Sequence, residues 1–188
     1  MRWLPLLISF FLFQTGWSQA ELPESFVAKS IEFDIRWPNF SQPDFKFKVY
    51  QPEPALDQIF DLGVFVPKEK YRLLVFFKPE GNPPIPHVEA TLKANHFAKN
   101  AEHSMVAIHT FDQEGLDKHN VDWGATYYFK PKEDFSFFAE CQMICLFKLG
   151  KGSIFLLYLF DDFSPQVEEK IWNPVFEDEE EVEKKKSR

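Results

Sequence analysis

Two cysteines, five histidines and 29 acidic side chains are among the groups in this 188-residue chain that could do covalent, metal or acid–base chemistry. Cys141 and Cys145 are the only thiols, in "CQMIC". Redox exchange needs a thiolate held at low pKa beside a second sulfur, most often with two residues between them. Here three residues intervene and no base adjoins. On an extended strand both sulfurs would share one face about 13 Å apart, at a rise of about 3.3 Å per residue. That is beyond disulfide reach. A bond between them would need a turn around Gln142–Ile144, so Cys141 and Cys145 are expected as two small core residues or a minor structural staple, and not as a redox pair.

The histidines are His87, His96, His103, His109 and His119. "HVE" at His87–Glu89 matches half of a zinc-deaminase signature, but its Pro-Cys-x-x-Cys half is absent. His96 and His103 lie two helical turns apart and could share a face. Nothing gathers them into a ligand set, so packed or solvated imidazoles are expected, with no metal and no cofactor. No Gly-x-Ser-x-Gly elbow and no phosphate-binding glycine loop occurs. Asp161 and Asp162 are adjacent acids at a strand end, where solvation is the usual fate. The pattern names no catalytic residue. Trp37, Phe40 and Trp123 stand beside turn residues and are the candidates for an exposed aromatic binding patch, the kind that takes a protein or peptide.

These groups must be positioned by short, aromatic elements. The chain has 23 Phe, 5 Trp and 5 Tyr, which favour strands, and 14 Pro, which divide them. Strands are expected at Ser25–Trp37, Asp44–Gln51, Tyr71–Pro79, Ser104–Phe111 and Gly124–Pro131. Helices are expected at Pro52–Phe60, His87–Glu102 and Ser164–Trp172, with a helical turn at Gln113–Asn120. Strand–helix–strand over Tyr71–Phe111 implies a parallel pair joined by a right-handed crossover. The expected architecture is a single α/β (mixed α+β) domain: a mixed sheet flanked by helices over a Phe-rich core.

The most apolar internal stretch is "MICLFKLGKGSIFLLYLF", Met143–Phe160. As a membrane helix it would put Lys148 and Lys151 near mid-bilayer, at about 2.5 to 3.5 kcal/mol each. Ten Leu, Ile and Phe return roughly 3 to 6 kcal/mol, which leaves no net drive to insert. "GKGS" divides the run into two strand-length halves, the pattern of a hairpin between covered strands. A single-pass anchor at 143–160 is the alternative, and the terminal Lys185 and Lys186 suit the retrieval signal such proteins carry.

"MRWLPLLISFFLFQTGWSQA" has a basic start, a short apolar centre and small residues at Ser18 and Ala20. It reads as a signal peptide over 1–20, cleaved before Glu21, so export through the secretory pathway is expected. The globular domain would span 21–176 and a solvated charged tail 177–188. With 21 basic side chains against 29 acidic, net −8, nucleic acid is not an expected partner. Asn39-Phe40-Ser41 is a glycosylation sequon.

Several phrases resemble the thioredoxin family. "RLLVFFKPEGNPP", Arg72–Pro84, resembles its strand and active-site turn, and "VAIHTFDQE", Val106–Glu114, the strand that follows. "KHNVDWGATYYFKP", Lys118–Pro131, and "ICLFKLGKGSIF" followed by "SPQVEEKIW" are similar to its later strands, hairpin and last helix. The resemblance covers roughly Phe45 to Trp172. It departs where chemistry would sit: the turn holds no cysteine, and Ala125 stands where the family has a proline. The resemblance therefore implies a redox-silent, non-catalytic member that binds polypeptide. The alternative class is an exported hydrolase or metal-dependent enzyme with a site no motif reveals.

Overall fold

The computed structural model describes residues 22–38, 47–67, 70–99, 106–162 and 173–177. Its strands are β1 (Ile35–Arg36), β2 (Lys48–Tyr50), β3 (Leu62–Val66), β4 (Tyr71–Pro79), β5 (Ala107–Thr110), β6 (Trp123–Phe129), β7 (Glu140–Lys148), β8 (Gly152–Phe160) and β9 (Val175–Phe176). Its helices are α1 (Glu24–Glu32), α2 (Pro86–Phe97) and α3 (Gln113–His119). Seven strands form one sheet in the order β2-β3-β4-β8-β7-β6-β5, and β1 pairs β9 in a separate ribbon. The protein is thus mixed α+β, built as a single domain.

Every pairing in the large sheet is antiparallel. The sheet is not mixed, and the expected parallel pair of β4 and β5 is absent. The β7–β8 hairpin seats β8 directly against β4, and β6 follows β7, which leaves β5 at the far edge. Helix α2 spans that displacement across one face. Strand β5, within the strand expected at Ser104–Phe111, is exposed along its length.

Met143–Phe160 is the hairpin. Met143 faces Leu157 and Cys145 faces Phe155 across it, and all nine residues of β8 are buried. Apolar side chains on both sides of β8 reflect a central strand with both faces covered. Its lysines end in polar contacts: Lys148 Nζ donates to Asn120 Oδ1 at 3.0 Å, and Lys151 pairs with Asp34. The anchor alternative at 143–160 is therefore excluded as a helix, and no helix among the described residues is long and apolar enough to cross a membrane.

Each face of the sheet buries its own cluster. On the first, Phe26 and Phe33 of the α1 region pack with Val75, Phe77, Leu156 and Tyr158. On the second, Ala90, Ala94 and Phe97 of α2 pack with Phe76, Tyr127, Met143 and Phe155. The register explains the division: alternate residues of β4, β7 and β8 point to opposite faces.

Two local expectations are corrected, and one strand was not foreseen. Ser25–Trp37 is mostly the helix α1, because Phe26, Ser30 and Phe33 recur at helical spacing on its buried side. The alternation of Ile31, Phe33 and Ile35 imitates a strand, but only Ile35–Arg36 extends. Pro52–Phe60 is not a helix. It folds back in a tight turn with Leu56 and Asp57 at φ 49° and 59°, closed by Ala55 N–H to Gln58 O at 3.1 Å and its reciprocal at 2.9 Å. Strand β3 was unforeseen, although Leu62, Val64 and Val66 alternate into the first cluster. The expected helix at Ser164–Trp172 lies outside the described residues. So do segments 1–20 and 178–188 of the expected signal and tail.

Helix α3 ties the small ribbon to the sheet. The His119 Nδ1 meets Pro174 O at 2.8 Å, and Asn120 Nδ2 donates to Phe176 O at 2.8 Å. Burial pushes the His119 imidazole below its ordinary pKa, against a rise from the Pro174 contact. The folded protein then resists protonation that the unfolded chain accepts. Stability is fully present above about pH 6.5, the ordinary histidine value, and declines as pH falls below it. Urea midpoints of the wild type should fall between pH 7.5 and 5.5 more steeply than those of His119→Asn; parallel profiles would remove His119 as the cause.

Candidate functional site

The structure distributes the sequence candidates rather than gathering them. Trp37 donates from Nε1 to Ser30 Oγ at 2.9 Å and sits 5.2 Å from the Phe26 ring, on the first cluster. Trp123 packs on the second cluster, across the sheet. The two tryptophans therefore do not form one patch, and Phe40 and the sequon lie outside the described residues. His119 is buried, His96 Nε2 meets Leu56 O at 2.7 Å, and His103 lies outside the described residues. Among the described residues no three His, Cys, Asp or Glu side chains assemble as a metal site.

Cys141 and Cys145 are free and buried on the α2 face of β7. Desolvation pushes both thiols up, and a contact with Ser153 only partly offsets this at Cys145. A thiolate is thus disfavoured at neutral pH. Both thiols should be silent toward a colorimetric thiol reagent in the folded protein and should titrate as two in denaturant. A fast-reacting thiol in the native state would contradict this burial.

A cleft of about 650 Å³ opens instead at the β2 end of the α2 face. One wall is Tyr50 to Ala55, the other is the connection Asp134–Phe138, and the floor includes Arg72, Leu74 and Leu159. Gly63 makes the first wall possible. A Cβ there would lie 2.7 Å from Pro52 Cγ and 2.8 Å from Tyr50 Cζ, so only glycine lets both rings fold across β3.

The second wall is pinned from below. Phe135 stacks on Phe97 at 4.6 Å and on Phe60 at 6.2 Å. Phe135 N–H and Ser136 N–H both donate to Lys132 O, at 3.0 and 2.9 Å. Phe138 N–H donates to Ser136 Oγ at 3.1 Å and Ala139 N–H to Asp161 Oδ1 at 3.2 Å. With its neighbours held, Phe137 projects into solvent, 99% exposed.

Arg72 lies 5.9 Å from the Tyr50 ring centroid and 5.5 Å from that of Phe138, a cation–π arrangement bridging the two walls. Burial raises the Tyr50 hydroxyl pKa, with Arg72 pulling the other way, so the phenol stays neutral at physiological pH. The cleft offers aromatic surface, one guanidinium and the acids Glu53, Asp134 and Asp161. It holds no nucleophile beside a base. The pattern reading missed Tyr50, Arg72 and Phe135–Phe138, although "DFSFF" was a usable signal: four aromatic or acidic residues around a serine, between strands and not within one. Comparison with family models, curated proteins and solved structures finds no match to this chain.

Proposed function

We propose that this protein is an exported, non-catalytic domain that binds a polypeptide segment of a partner in the cleft between Tyr50–Ala55 and Asp134–Phe138. The observation that carries this reading is Phe137, a large apolar ring left in water at the lip of a 650 Å³ aromatic cleft. Exposing such a ring is unfavourable for the isolated molecule, and exposed aromatic anchors beside concave surface commonly mark recognition sites. The thioredoxin resemblance points the same way, toward a redox-silent binder of polypeptide. That resemblance rests on the local phrases of the sequence, and the large sheet beside it is antiparallel throughout. Export rests on the signal-like residues 1–20, and a mature N-terminus at Glu21 is the corresponding check.

The test is peptide binding. Random octapeptides selected on the immobilised protein should lose at least tenfold in affinity against Phe137→Ala, a substitution that leaves the thermal transition in place. Selected peptides that bind Phe137→Ala as well as wild type would sink this site. Turnover of insulin disulfides by the purified protein would sink the non-catalytic half of the reading.

A further inference from the structure

The cleft carries one cation among three acids: Arg72 against Glu53, Asp134 and Asp161. Arg72 makes no ion pair among the described residues, although every one of those carboxylates lines the same space. Its contacts are the faces of Tyr50 and Phe138. Ring faces hold a guanidinium without consuming its fork of in-plane N–H donors. The fork is thus positioned and open, the arrangement that grips a carboxylate with two parallel hydrogen bonds.

A purely anionic ligand would meet repulsion from three acids at the same rim. A purely cationic one would meet Arg72 at the floor. A ligand carrying a carboxylate with a cation a few ångströms away satisfies both. The end of a polypeptide whose last residue is basic has that pattern. We infer that the cleft takes a C-terminus ending in Lys or Arg, its α-carboxylate on Arg72 and its side-chain cation toward Asp134 and Asp161. This rests on the peptide-binding reading above. An internal acidic residue beside a basic one offers the same chemistry, and an amidated probe separates the two sources.

Three pools of random octapeptides test this: ending in free-carboxylate lysine, in lysine carboxamide, and in free-carboxylate glutamate. The best sequence from the first pool is then measured by fluorescence anisotropy as acid and as amide. The acid should bind at least tenfold tighter, the glutamate pool should enrich least, and Arg72→Gln should bring acid and amide to equal affinity. Acid and amide binding alike to wild type would overturn the Arg72 assignment while leaving the cleft as a peptide site. An amide pool that enriches as well as the acid pool would overturn it in favour of internal segments. No enrichment from any pool would overturn both readings. Arg72 is exposed, so circular dichroism of Arg72→Gln should match wild type and a loss of binding is not misfolding.

Discussion

Gly152→Ala should destabilise the fold by about 3 kcal/mol or more, well beyond what one methyl group ordinarily does. Gly152 begins β8 at φ +118°, a backbone conformation that side chains strongly oppose. Space opposes it too. A Cβ at this position would lie 2.3 Å from Lys78 O, 2.7 Å from Glu80 N and 2.9 Å from Pro79 C. These are backbone atoms of the neighbouring strand and its end, so no rotamer change relieves the clash. Relief requires moving β8 away from β4 where Pro79 faces Gly152, in the middle of the sheet. Gly150 supplies the comparison on the same turn. Its φ is +80°, but a Cβ there meets nothing within 4 Å. Gly150→Ala should therefore lose only about 1 kcal/mol, from backbone strain alone. Urea denaturation at unchanged m-value reads both. Equal, small losses would mean that β4 and β8 do not meet in this register.

The glycines of "LGKGS" illustrate how much of the fold was legible. A Gly-rich break between two apolar runs announced the hairpin, and the structure contains it where expected. That announcement is local: it follows from chain stiffness and the cost of burying lysine. What lies beside the hairpin is not local. Val75 faces Leu156 across about 80 residues of sequence, and nothing in "YRLLVFFKP" distinguishes a neighbour in the same sense from one running opposite. Both kinds of strand, once covered on two faces, read as continuous apolar runs. The parallel pair was the simplest inference from strand–helix–strand order, and the later hairpin displaced it. Segment 25–37 failed for a different reason. "FVAKSIEF" partly alternates, yet it also fits a period of 3.6, and the helix it forms buries Phe26 and Ser30. A serine in a core is acceptable where its hydroxyl is satisfied, and it donates to Phe26 O at 2.9 Å while accepting from Trp37. The cleft was hardest to foresee, since Tyr50, Arg72 and Phe138 come from three distant segments. Their meeting depends on tertiary order that no spacing encodes.

Two phenylalanines should separate stability from the proposed peptide binding. Phe155→Ala should lower stability by about 3 to 5 kcal/mol, the range for truncating a fully buried aromatic. Phe155 is completely buried on the central strand and stacks against Phe76 with centroids 4.5 Å apart and planes 6° apart. Phe76 is held in turn by the Phe60 ring at 5.9 Å and by Lys93 Nζ at 5.6 Å. The vacated space lies between a strand and α2, where neither side can collapse without breaking its hydrogen bonds, so the cavity persists. Phe137→Ala removes the same side chain from a position that is 99% exposed and should leave stability within about 0.5 kcal/mol of wild type. If Phe137 is the recognition anchor, that same substitution abolishes most peptide affinity. The two variants should therefore dissociate completely: one loses the fold's melting temperature while any folded fraction still binds, the other melts normally and does not bind. A Phe137→Ala protein that melts lower by as much as Phe155→Ala would mean that Phe137 is buried in the protein as it exists in solution, and the open lip of the cleft, with the function built on it, would have to be abandoned.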